Sequence, residues 1–331
     1  MSPMQGAFGP DGAGFEIAIV AATISVLLGG ILFGVGLGFS LRRIRIIGAE
    51  EIAQGMISAA MVGALFAFTL LLDSTVATLV PETSLPPCQK IANPSSSPFA
   101  FYSCHLSYTE QSLRELSTSL GRSANIAGHV SSLRISSGAL SAQPFFALES
   151  ASKSLSFDSD LARQLSALAY AELSLADFVR TSALAVFLPA GLLLRTFFAT
   201  RKIGAAAMAL AISAYAFYPM FFLYSFSVSK SQAAISEAQS LSDEFNKEFA
   251  SLPLLDLDAT SAVRDKVDEM SKGDFGTLVQ GLFAPSSRAL SSAQIDLLAY
   301  PIISLMVSLV AALELYGLFS APILVPFLEK I

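Results

Sequence analysis

Apolar positions gather into long runs at 17–41, 52–72, 182–198, 203–228 and 297–313, and Arg195 is the one charge inside them. A helix needs roughly 20 apolar residues to cross the hydrocarbon of a bilayer. The pattern therefore predicts an all-α, polytopic membrane protein with about five transmembrane helices. Arg42, Arg43 and Arg45 close the first run, and Arg195, Arg201 and Lys202 flank the turn between the third and fourth. Positive charge in short loops faces the cytoplasm, which puts the N-terminus outside and the C-terminus inside. The expected order is an external tail over 1–16, a transmembrane hairpin over 17–72 and an extracellular helical segment over 73–181. A second transmembrane hairpin over 182–228, an external amphipathic segment over 229–296, and a last helix with a cytoplasmic-side tail over 297–331 follow. Residues 1–16 hold no Lys or Arg, so the first run lacks the basic lead of a signal peptide and is expected to stay as a helix.

A different period governs the external segments. Leu106, Leu113, Leu116, Leu120, Ala127 and Val130 recur at the three/four spacing of a buried helical stripe. Leu155, Leu161, Leu165, Leu168, Ala169 and Phe178 form a second stripe that runs into the third span. Ile235, Ala238, Leu241, Phe245, Phe249 and Leu252 form a third. Helices projecting beyond the bilayer are expected, packed on one another or on other subunits. The stretch 254–283 interleaves Asp256, Asp258, Asp265, Asp268, Glu269 and Asp274 with apolar residues and reads as short amphipathic helices. Its spacing supplies only a fragment of a calcium loop.

Composition sharpens the class. The chain of 331 residues is 53% hydrophobic and 14% charged, with a net charge of −6, far from the roughly 25% charge of a soluble domain. Two cysteines and two histidines cannot build the common structural zinc or iron–sulfur sites, so no metal and no cofactor is expected. Cys88 and Cys104 both fall on the side where disulfides persist, which favours a bridge between them.

Small residues recur within the spans, Gly30, Gly34 and Gly38 in the first and Gly55, Ala59 and Gly63 in the second. This is the spacing that lets helix backbones approach in lipid, within the hairpin or between subunits. Glu314 stands out as an intramembrane ionisable residue, expected near the cytoplasmic interface as an anchor or a partner of Arg195 or Arg201. Arg195 is expected to snorkel at a span end. The sequence holds no G-x-S-x-G, Walker or H-E-x-x-H pattern. His105 and His129 read as surface or packing residues, and a non-enzyme is expected.

The order of spans, with a large external segment after the second, resembles the polytopic channel component of type IV secretion and conjugation systems. The stretch LRRIRIIGAEEIAQGM over 41–56, a basic turn entering an alanine- and glycine-rich span, is similar to the membrane protein of the archaeal DNA-import (Ced) machinery. The resemblance implies a homo-oligomer conducting DNA, partnered by a HerA-type cytoplasmic ATPase and small pilin-like membrane proteins. Acidic residues outnumber basic ones in the external segments, opposite to the groove of a single-strand binder. Nucleic acid would then meet Arg42, Arg43, Arg45, Arg201 and Lys202 at the inner mouth. The competing readings are a structural membrane scaffold whose external bundle binds a partner, and a small-solute transporter.

Overall fold

The computed structural model describes residues 13–79, 88, 98–132, 134–137, 140–143, 145–195, 200–228, 230–248 and 275–320. The external tail up to residue 12, most of the acidic stretch 254–283 and the terminal segment with Lys330 lie outside them. Among the described residues the chain is helical apart from a small antiparallel hairpin, β1 (Ile135–Ser137) and β2 (Leu140–Ala142), with Ile135 opposite Ala142. The helices are α1 (Ala13–Gly38), α2 (Arg42–Leu79), α3 (Pro98–Ser131), α4 (Ala147–Ser182), α5 (Leu188–Arg195), α6 (Arg201–Val228), α7 (Ser231–Glu248), α8 (Phe275–Gln294) and α9 (Tyr300–Ser320). One helical run among the described residues, Gly281–Ser320, is long and apolar enough to cross a membrane; Thr23–Gly38 is apolar but shorter. That is fewer than the five runs read from hydropathy. The charged segment expected as a connector over 42–51 is instead the first turns of α2.

Two π-helical turns join α4 to α5 (Ala183–Phe187) and α8 to α9 (Ile295–Ala299). Each is followed by a proline at the second position of the next helix, Pro189 and Pro301. Proline lacks the N–H that would bond the carbonyl four residues back, and its ring crowds that carbonyl. A widened turn just before it relieves both problems without breaking the helix.

The chain divides into two compact units. The first comprises Met1–Cys104, Ser174–Ser227 and Tyr300–Ile331, and the second His105–Leu173 and Val228–Ala299. In the first, α1 and α2 form an antiparallel hairpin whose backbones touch. A Cβ on Gly29 would strike Ile52, one on Gly36 Arg45, one on Gly48 Phe33, and one on Gly55 Val26. Each crossing pairs one glycine with one larger residue, alternately from each arm. Of the small residues expected at a helix contact, only Gly55 lies here; Gly30, Gly34, Gly38 and Gly63 have open space around them, and Ala59 is exposed. The seven-residue interval, not the four-residue one, fixes the seam, because two helical turns return a residue to nearly the same face.

The hairpin closes at Ser40, which holds φ 54. Its N–H bonds the Leu37 carbonyl, and the Leu41 N–H bonds the Gly36 carbonyl. This is a Schellman end with a non-glycine residue in the left-handed position. The rest of the unit packs Leu188, Leu192, Ala205, Met208, Ile212 and Phe319 around α5, α6 and α9. Ser304 donates to the Tyr218 carbonyl at 2.6 Å, and the Tyr102 and Tyr218 hydroxyls are 3.1 Å apart. Cys88 and Cys104 are joined by a disulfide.

The second unit is a four-helix bundle of α3, α4, α7 and α8. The stripe from Leu106 to Val130 is buried, as are Leu155, Leu165, Ala169, Ile235, Ala238 and Phe245, whereas Phe178 is exposed. Serines line the contacts. Ser117 and Ser159 each donate to the other's carbonyl at 2.9 and 2.8 Å, and Ser152 donates to the Ala124 carbonyl at 2.8 Å. Between α3 and α7, Ser119 donates to the Asp243 carboxylate at 2.6 Å, and Asn246 donates to the Ser119 carbonyl at 3.0 Å. Short side chains that satisfy their own hydroxyls allow the helices to approach closely with no buried polar group unpaired at these positions.

Replacing Gly36 or Gly48 by alanine is expected to cost about 1–3 kcal/mol through overpacking of the hairpin. Gly34→Ala should change thermal unfolding in detergent by less than about 0.5 kcal/mol. Equal effects at the two kinds of site would contradict the seam.

Candidate functional site

An apolar helix pair such as α1 and α2 has few places to hold charge, so charge within the first unit marks a constraint. Glu50 and Glu51 sit on α2, a little over two turns from its start, and Arg201 opens α6. Arg201 Nη1 donates to Glu50 Oε1 at 3.0 Å, and Nη2 to Glu51 Oε1 at 2.8 Å. The guanidinium fork spans two neighbouring carboxylates, a use for which a planar cation is suited and an ammonium is not. Gln54, one turn on, donates at 3.3 Å to Glu50 Oε1, the same oxygen that accepts from Arg201. Arg201 is only 20% exposed and Glu51 12%, which strengthens the attraction over that of a surface pair.

Arg195 ends α5 and is 6% exposed. It does not extend outward, as a span-end arginine would. Glycine makes room for it: a Cβ at Gly204 would strike the Arg195 backbone nitrogen and the Gly191 carbonyl. The α5–α6 turn is thus drawn tight, with Thr200 donating to the Leu194 carbonyl at 2.6 Å. The node so formed holds Glu50, Glu51, Gln54, Arg195 and Arg201.

The residues singled out by sequence separate in space. Arg201 is engaged by Glu50 and Glu51, not by Glu314, which is exposed on α9. Arg42 and Arg43 are exposed and Arg45 half-buried in the first turn of α2, while Lys202 is exposed beside Arg201. In the sequence Glu50 and Glu51 simply precede the apolar run at 52–72. A fork across two adjacent acids on one helix depends on a partner 150 residues away, and no local pattern announces it.

The second unit contains titratable groups that periodicity did not single out. His105 on α3, Glu172 on α4 and Asp296 in the second π-turn are all buried. Bonds of Ser117 with Ser159, Ala124 with Ser152 and Glu110 with Ser166 set an antiparallel register for α3 and α4. Continued by one heptad, it brings Glu172 to the level of His105. Glu172 is 7% exposed, and its Oε2 has no hydrogen-bond partner among the described residues. Burial raises its carboxyl from 4.5 to about 8 and lowers the His105 imidazole from 6.5 to about 4, because burial disfavours each charged form. Both groups are therefore neutral at pH 7. No group of three or more metal-ligating side chains occurs among the described residues.

Protein families, curated proteins and solved structures, compared with this chain, return no match.

Two outcomes follow from this geometry. Arg201→Gln strands the buried Glu51 carboxylate and the half-buried Glu50 one and is expected to cost about 3 kcal/mol. Adding Glu50→Gln and Glu51→Gln to that variant should recover most of the loss, as read by thermal unfolding. For Glu172 the folded value lies above the unfolded one, so its contribution is complete below pH 4.5 and is lost as pH rises through about 8. The stability change due to His105 is over once pH exceeds 6.5. Between pH 6.5 and 8 stability should therefore fall by up to about 1.4 kcal/mol per pH unit, and Glu172→Gln should flatten that slope.

Proposed function

We propose that this chain is a multi-pass subunit of a DNA-transfer machinery in the cytoplasmic membrane, working as a homo-oligomer with a separate motor ATPase. In this reading α1, α2, the α4–α5 run, α6 and α9 are the five crossings. The α1–α2 and α5–α6 turns face the cytoplasm, and the second unit stands outside. What supports it is the charged node of Arg201, Glu50 and Glu51 set among helices whose exposed large side chains are mostly apolar. Ionisable groups kept among apolar helices are costly and tend to line a polar path. Several copies, each contributing such a node near the cytoplasmic turns, would surround an opening with polar groups while apolar faces meet lipid. The pairing also keeps the node close to neutral, so a passing polyanion is neither trapped nor strongly repelled.

A scaffold reading is favoured by one feature. Gln111, Arg114, Glu115, Arg122, Gln239 and Asp243 line an open polar groove between α3 and α7, a surface suited to a protein partner.

The two separate by genetics. Deleting the gene should abolish DNA transfer, and the wild-type gene should restore it. The charge-free combination Arg201→Gln, Glu50→Gln, Glu51→Gln should insert normally yet restore transfer by less than about a tenth, the scale of a lost polar interaction of roughly 1.4 kcal/mol. Undiminished transfer in the deletion strain overturns the conduit.

A further inference from the structure

The α1–α2 hairpin continues past the node. In its register Glu51 lies opposite Gly30, since Gly29 meets Ile52 and Gly48 meets Phe33. The node, fixed by Arg201, lies at the α5–α6 turn. The end of α9 lies there too, because Ser304 meets Tyr218, Ser308 meets Ser213, and Phe319 packs with Ala205. From Gly30 to the turn at Ser40 the hairpin has about 15 Å more to run. Ile31, Leu32, Val35, Leu37, Phe39, Leu41, Ile46 and Ile47 are exposed there, Phe39 at 74%.

Three observations say what covers this end. The exposed apolar residues come from both arms and lie on more than one side of the hairpin, so no single protein face could cover them; a helix apolar all round lies in a large core or in lipid, and among the described residues no core surrounds this end. The sequence from 17 to 49 contains no Asp or Glu but holds Arg42, Arg43 and Arg45, so a second copy would bring like charge to like. These arginines also occupy the first turn of α2, where no acid is present. Cations at a helix N-terminus oppose the helix dipole, and that end of a helix favours phosphate. An anion satisfies both.

We propose that the hairpin end is immersed in the cytoplasmic leaflet up to Arg42, Arg43 and Arg45, which bind the phosphates of anionic phospholipids. The inference rests on the five-span reading for its side of the membrane. It places the α5–α6 turn, with Arg195, Arg201 and Lys202, set back from the headgroup plane beside the lipid-anchored hairpin. The hairpin thereby acts as a post that holds anionic lipid around the cytoplasmic opening.

The test uses the full chain in nanodiscs of phosphatidylcholine with phosphatidylglycerol. Both native cysteines are paired, so Phe39→Cys accepts a fluorophore alone. Its emission should be quenched by lipid-borne spin labels and untouched by aqueous iodide. Spin-labelled phosphatidylglycerol should associate in preference to phosphatidylcholine. Replacing the arginines by glutamine should reduce that preference roughly fivefold for each one lost, while replacement by lysine should keep it. Iodide quenching overturns the proposal, as does shielding from both quenchers, which would mean a protein cover. An unchanged lipid preference in the glutamine triple variant overturns it as well. Labelling of Thr200→Cys by an impermeant maleimide tests the side of the membrane separately, and reaction from outside would sink the five-span reading alone.

Discussion

The first unit depends on the close approach of its helix backbones and on the polar bonds between them. In lipid, a leucine gains little by touching another leucine, so association must come from dispersion between backbones and from polar bonds. Both are present. Glycines at seven-residue intervals bring α1 and α2 into backbone contact, and Gly191 and Gly204 do the same for α5 and α6. The Arg201 fork then ties the two hairpins together. A larger residue at a seam glycine would force the backbones apart.

The bundle of the second unit solves the same problem with serine in place of glycine. Its stripes of leucine and alanine supply hydrophobic burial, which operates in water. Its seams use hydroxyls that bond the facing backbone, as in the reciprocal pair of Ser117 and Ser159. Glu172 departs from this economy, being buried with one oxygen unpartnered among the described residues. Such a group stays neutral and makes the bundle sensitive to alkaline pH. The α3–α4 register puts it at the level of His105.

In the first unit Arg201 is paired across helices with Glu50 and Glu51, while Arg42 and Arg43 stand exposed at the hairpin end. The proposed conduit builds on the first of these and the proposed lipid contact on the second.

Much was legible in the residue pattern itself. The all-helical class, the buried stripe from Leu106 to Val130 and the pairing of Cys88 with Cys104 follow from periodicity and compartment, which are properties of neighbours along the chain. The sites were not. The choice of Gly29 and Gly36 over Gly30 and Gly34, the exposure of Phe178, the burial of Arg195, and the partners of Arg201 depend on the rotation and register of whole helices. Glycine spacing permits several seams, and only the packing of both arms selects one. The sequence by itself determined which segments are helical and which faces seek burial, because those follow from local sterics and hydropathy. Tertiary structure alone decided which charges meet and which apolar ends are left uncovered, because those depend on contacts between residues far apart in the chain.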